Sequence, residues 1–65
     1  MGELDKLKYD SNLKEYSHII RMNIKDKERI VKCLQMFEYF EDYEKCKDLI
    51  NILRKIEEKE SINHL

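Results

Sequence analysis

The apolar pattern of this chain changes phase at Glu41-Asp42, and that change limits the folds available to it. Counting about 100° per residue, the stripe from Ile30 to Phe40 and the stripe from Tyr43 to Ile56 point about 150° apart on a single continuous helix. A straight rod would bury neither stripe. A chain reversal at Glu41-Asp42 turns the two stripes toward each other, so the segment is predicted to be a helical hairpin. Tight turns and bulges draw on glycine and proline, and the sequence holds one glycine and no proline, which argues against a turn-rich β fold. The expectation is an all-α, three-helix domain built on an αα-hairpin, with helices over about 12–24, 27–40 and 43–59 in a single domain of residues 1–65.

Leu4 and Leu7 form an apolar couple out of phase with the stripe that begins at Leu13, and Tyr9-Asp10-Ser11-Asn12 supplies residues suited to caps and turns. Residues 1–10 are therefore expected to be a loose arm. Leu13, Tyr16, Ile20 and Ile24 then repeat at helical spacing, with Ile19 and Met22 on the flank, and Asn12 with Glu15 has the layout of a capping box. Asp26 suits the cap of the second helix, because its carboxylate can accept from free backbone N–H groups at the positive end of the helix dipole. Ile30, Val31, Cys33, Leu34, Met36, Phe37 and Phe40 form an arc wide enough to touch two neighbours, which places the second helix centrally. Asp42 is the cap expected for the third helix, whose stripe runs through Tyr43, Cys46, Leu49, Ile50, Ile52, Leu53 and Ile56. Residues 61–65 carry no period and are expected to fray.

The run Phe37-Glu38-Tyr39-Phe40-Glu41-Asp42-Tyr43-Glu44-Lys45-Cys46-Lys47-Asp48-Leu49 resembles the corner of the UVR motif. That motif is a helical hairpin at the end of the UvrB and UvrC repair proteins and in some Clp-associated regulators. Glu41, Asp42, Tyr43, Glu44 and Leu49 match its acidic-aromatic opening and its leucine. The chain departs from the motif where a Leu-Arg-Asp run would stand, having Leu49-Ile50-Asn51, and where an alanine pair would stand, having Cys46-Lys47. The resemblance covers about thirty residues and implies a hairpin that docks on another protein, with no implication for catalysis.

Thirteen basic and fourteen acidic side chains nearly cancel, so no net field draws the chain to phosphate backbones or anionic membranes. A local basic group, Lys25, Lys27, Arg29 and Lys32, opens the second helix and is the surface a nucleic-acid-binding factor would use, but Asp26 and Glu28 sit among them. The N-terminal run lacks the apolar core and cleavage site of a signal peptide, no stretch nears the length of a membrane span, and Lys6 stands where a myristoylation site needs Ser or Thr. A cytoplasmic setting without membrane insertion is the resulting expectation. Ten lysines against three arginines, with eight isoleucines, suggest an AT-rich coding genome such as a low-GC bacterium or its phage.

Cys33 and Cys46 lie on the apolar stripes and are read as core thiols, since a structural zinc needs four ligands and only His18 and His64 could add to them. Carboxylates at Glu41-Asp42-Glu44 and Glu57-Glu58-Glu60 are explained by helix capping and a solvated helix end, and Asp10, Ser17 and His18 have nothing to orient them as a triad. With one glycine there is no phosphate-cradling loop. Neither catalysis, a cofactor, a metal nor a small-molecule substrate is therefore expected. The expected role is a non-catalytic protein-interaction module, an adaptor or inhibitor that self-associates or docks on a larger protein. Met36, Tyr39, Phe40 and Tyr43 are its expected binding residues. Phe37, Phe40 and Tyr43 also suit the end of the core, whereas Tyr39 falls on the polar side of the second helix. Chains this small are marginally stable alone, and two hairpins packed as a four-helix core would supply the missing burial.

Overall fold

The computed structural model describes residues 2–63 and consists of three helices, α1 (Glu3–Met22), α2 (Lys27–Tyr39) and α3 (Tyr43–Asn63). The reversal between α2 and α3 falls where the apolar phase changes. Phe40 ends α2, and Glu41 then takes the left-handed conformation at φ 60°. The Asp42 N–H donates to the Phe37 carbonyl at 2.9 Å and the Glu41 N–H to the Glu38 carbonyl at 3.1 Å. These two bonds are a Schellman closure, which satisfies carbonyls that a helix end would otherwise leave without partners. The same device ends α1, where Asn23 has φ 51°, its N–H reaches the Ile20 carbonyl, and the Ile24 N–H reaches the Ile19 carbonyl at 3.1 Å. Asp26 caps α2 as expected, its carboxylate accepting from the backbone N–H groups of Glu28 and Arg29.

The start of α1 differs from the sequence expectation. Residues 3–10 are the first turns of α1 rather than a loose arm, and Asn12 is an interior residue rather than a cap. Glu3 and Asp5 suit the positive end of the helix dipole, and Leu4, Lys6, Leu7 and Lys8 are good helix formers. Tertiary contacts outweigh the local turn preference of Tyr9 and Asn12. The Asn12 side-chain amide donates to the Cys33 carbonyl at 2.9 Å, and the Cys33 thiol points back at the Asn12 carbonyl at 3.7 Å. Glu15, the other half of the expected capping box, instead accepts from Arg29.

This longer helix also moves the stripe that α1 buries. Tyr9, Leu13, Tyr16 and Ile19 face the core, with Ile24 beyond the helix end. Ile19 is 1% exposed, whereas Ile20, expected on the stripe, is 46% exposed. Both α1 and α3 pack on α2, as its wide arc requires, while the backbones of α1 and α3 do not come together among the described residues. The core is Ile19, Ile30, Cys33, Leu34, Phe37, Cys46 and Leu49. Helix α3 runs on through Ser61 to Asn63 in place of the expected fraying, and His64 and Leu65 lie outside the described residues. No helix among the described residues is long and apolar enough to cross a membrane.

The three helices make an elongated body of 49 × 20 × 16 Å with a radius of gyration of 13.1 Å. A chain of this length packed to ordinary density would have a radius of about 11 Å. The accessible surface is 5363 Å² at a mass of 8.0 kDa. Folded monomers of that mass expose about 4,450 Å², so this molecule shows about 900 Å² more than the norm.

A left-handed conformation costs an L-residue about 1–2 kcal/mol, part of which glycine returns as lost chain entropy. Glu41→Gly is therefore expected to raise stability by about 0.5–1 kcal/mol. Urea denaturation followed by helical ellipticity measures this, and an unchanged or lower midpoint would show that Glu41 is not held at positive φ.

Candidate functional site

The hairpin corner collects the aromatic contacts found among the described residues, together with a small group of hydrogen bonds to carboxylates. Phe37 is fully buried, and the rings of Tyr9 and Tyr16 meet it edge to face with centroids 6.0 and 5.6 Å away. Both tyrosines come from the same face of α1, about two helical turns apart, so their rings bracket Phe37 while their hydroxyls reach past it to carboxylates at the start of α3. The Tyr9 hydroxyl donates to the Asp42 carboxylate at 2.5 Å, and the Tyr16 hydroxyl donates to Asp48 at 2.6 Å. Lys45 completes the corner. Its ammonium pairs with Asp42 at 2.9 Å and lies 5.9 Å from the centre of the Phe37 ring. Asp42 thus opens α3 as expected, its carbonyl accepting from the Cys46 N–H, but its carboxylate serves mainly to hold α1 and Lys45.

These contacts set the charge states of the corner. The Tyr9 hydroxyl and then Lys45 hold the Asp42 carboxyl below its usual range, while the Asp42 carboxylate holds the Tyr9 phenol and the Lys45 ammonium above theirs. The hydrogen bond to Asp48, with burial, pushes Tyr16 up to about 12. All four shifts carry the groups away from neutral pH, whereas general acid-base chemistry needs values drawn toward it. The thiols are likewise unreactive in character. Burial pushes Cys33 up to about 11 and raises Cys46, and both are free and buried, with the Cys46 thiol directed at the Leu34 carbonyl. Among the described residues no group of three or more His, Cys, Asp and Glu is placed to hold a metal ion. Asp10, Ser17 and His18 are all exposed on α1.

The four expected binding residues do not share one environment. Tyr39 is 68% exposed on the outer side of α2, as its position predicts. Tyr43 is 65% exposed rather than closing the core, since Phe37, Tyr9 and Lys45 already fill that end. Phe40 is half-buried, its ring edge-on to Tyr9 at 5.3 Å and to Tyr39 at 5.0 Å. Met36 is half-buried and lines a shallow groove between α1 and α2 together with Leu4, Leu7 and Ser11. Leu4 and Leu7 are 73% and 65% exposed. The sequence reading misses their part in this face because residues 1–10 look like an arm; the i, i+3 spacing of two leucines among helix formers is the available signal.

Two of the four basic side chains at the start of α2 are paired with carboxylates within the fold. Arg29 donates to Glu15 of α1 through two nitrogens, at 2.6 and 3.1 Å, and Lys27 pairs with Glu60 of α3 at 2.8 Å. Lys25 and Lys32 are exposed.

Because the Asp42 carboxyl is lowered on folding, its stabilisation is present above the unfolded value near pH 4 and is lost as pH falls through the folded value. Wild type is expected to lose stability from about pH 5 downward more steeply than Asp42→Asn, which lacks the titrating group. Urea midpoints measured across this range check the difference, and parallel slopes in the two proteins would remove Asp42 from the acid response.

Comparison with known proteins yields no family model, no curated protein and no solved structure that matches this chain.

Proposed function

We propose that the chain is a non-catalytic protein-interaction module, an adaptor or inhibitor that works by presenting one apolar face to another protein. The observation that carries this reading is the groove that Leu4, Leu7 and Met36 line between α1 and α2, with the exposed Tyr39 three residues on from Met36. Single exposed apolar residues are ordinary on any surface, but two leucines and a methionine lining one groove, with an exposed tyrosine on the next turn of α2, make the kind of centre that interfaces are built around. The half-buried ring of Phe40 backs Tyr39 and limits its motion, so the tyrosine offers contact area at low cost in side-chain entropy. The UVR-like corner points to docking as well. Tyr43 lies on the first turn of α3 and would extend the contact rather than centre it.

A nucleic-acid-binding role through Lys25, Lys27, Arg29 and Lys32 has less support, because the carboxylates of Glu15 and Glu60 already occupy Arg29 and Lys27. Such a role would give binding that weakens steeply with salt.

Immobilised wild-type protein is expected to retain a protein partner, whether its own copies or a protein of its host, and Tyr39→Glu is expected to weaken that retention at least about tenfold with helical content unchanged. Equal retention by both proteins, or salt-sensitive retention of nucleic acid alone, would contradict the proposal.

A further inference from the structure

We propose that the partner seated on the Leu4–Leu7–Met36–Tyr39 face is a second copy of this chain, in a two-fold symmetric dimer. The inference rests on the interaction-module reading and adds the identity of the occupant. Its basis is area. The protomer exposes 5363 Å², about 900 Å² beyond a folded monomer of its mass, and a standard interface removes about 800 Å² from each partner. One dimer contact therefore brings the chain back to the surface expected of a stable molecule of its size.

The chemistry of the face fits a copy of itself. With Leu4, Leu7 and Tyr39 about two-thirds exposed, the patch offers roughly 400 Å² of side-chain surface. That is about half of an 800 Å² contact, close to the apolar share that interfaces of this size contain. The groove is bordered by charges of both signs, Lys8 and Glu15, and the net charge of −1 sets up almost no repulsion between copies. The patch also lies toward one end of a 49 Å body. A two-fold axis near Leu7 and Met36 lays α1 and α2 of one protomer across α1 and α2 of its partner, a local four-helix bundle, and leaves the far ends clear of each other. An isologous contact of this kind closes on itself, so the surface is used up at the dimer.

Sedimentation equilibrium from about 5 to about 200 micromolar tests this, since contacts of this size commonly hold in the micromolar range or below. Wild type is expected to approach twice the 8.0 kDa protomer mass. Leu7→Glu is expected to weaken association at least about tenfold while leaving circular dichroism unchanged, because Leu7 is exposed in the protomer. Met22→Glu, an equally exposed apolar residue at the other end of α1, is expected to dimerise like wild type. A wild type that stays monomeric throughout overturns the proposal, and so does a dimer indifferent to Leu7→Glu or equally broken by Met22→Glu. A monomer that still binds a host protein through Leu7 and Tyr39 defeats only the second-copy proposal. A monomer that binds nothing defeats the interaction-module reading too.

Discussion

The structure depends on how the chain turns at Glu41-Asp42, because the same few residues close the helix, fill the core and hold the third element in place. The Phe37 carbonyl accepts the Asp42 N–H that ends α2, and the Phe37 side chain is the fully buried ring at the centre of the corner. The Asp42 carboxylate then receives the Tyr9 hydroxyl from α1 and the Lys45 ammonium from α3. Backbone closure, aromatic packing and a partly buried ion pair therefore meet at one turn. Cooperativity follows from that overlap. Disturbing the turn would displace the hydrogen-bonded carbonyl of Phe37 and the carboxylate of Asp42 together, and α1 would lose both of its anchors at this end.

Helix α1 is held by a different logic from the hairpin. The hairpin is joined by buried apolar side chains, Leu34 and Phe37 against Cys46 and Leu49, where non-directional burial dominates. The contacts of α1 are more directional. They are the reciprocal Asn12–Cys33 bonds, the two tyrosine-to-carboxylate bonds, and the Arg29–Glu15 pair, with Ile19 as its fully buried side chain. Exposed ion pairs contribute little, but the Tyr9 hydrogen bond to the partly buried Asp42 carboxylate is among the stronger polar contacts available to a small protein. Tyr9 and Tyr16 combine the two modes, since each ring packs on Phe37 while each hydroxyl is satisfied by a carboxylate at the α3 side.

The hairpin can be read from the sequence because its cause is periodic: two apolar arcs, each internally regular, broken at a single point. The cap at Asp26 and the burial of Cys33 and Cys46 are readable for the same reason, as local rules that tertiary structure does not override. The first half of α1 is not, because Tyr9 and Asn12 look like turn residues until their distant partners, Asp42 and Cys33, are known. That one misreading carries others with it. It places Ile20 rather than Ile19 on the buried stripe and hides Leu4 and Leu7 from the exposed face. Tyr43 fails differently: its place on the stripe of α3 is evident, but the ring of Tyr9 and the stem of Lys45 fill the space it is expected to close.

The central claim is that one chain folds back on itself around Phe37, with α1 against the corner. It is tested most directly by nuclear Overhauser contacts in an isotope-filtered sample mixing labelled and unlabelled protein, which separates contacts within a chain from contacts between chains. The structure predicts strong contacts from the Phe37 ring to the Tyr9 and Tyr16 rings, all within one chain. If those contacts arise only between chains, α2 and α3 form a continuous rod packed on its neighbours, and the corner at Glu41-Asp42 does not exist.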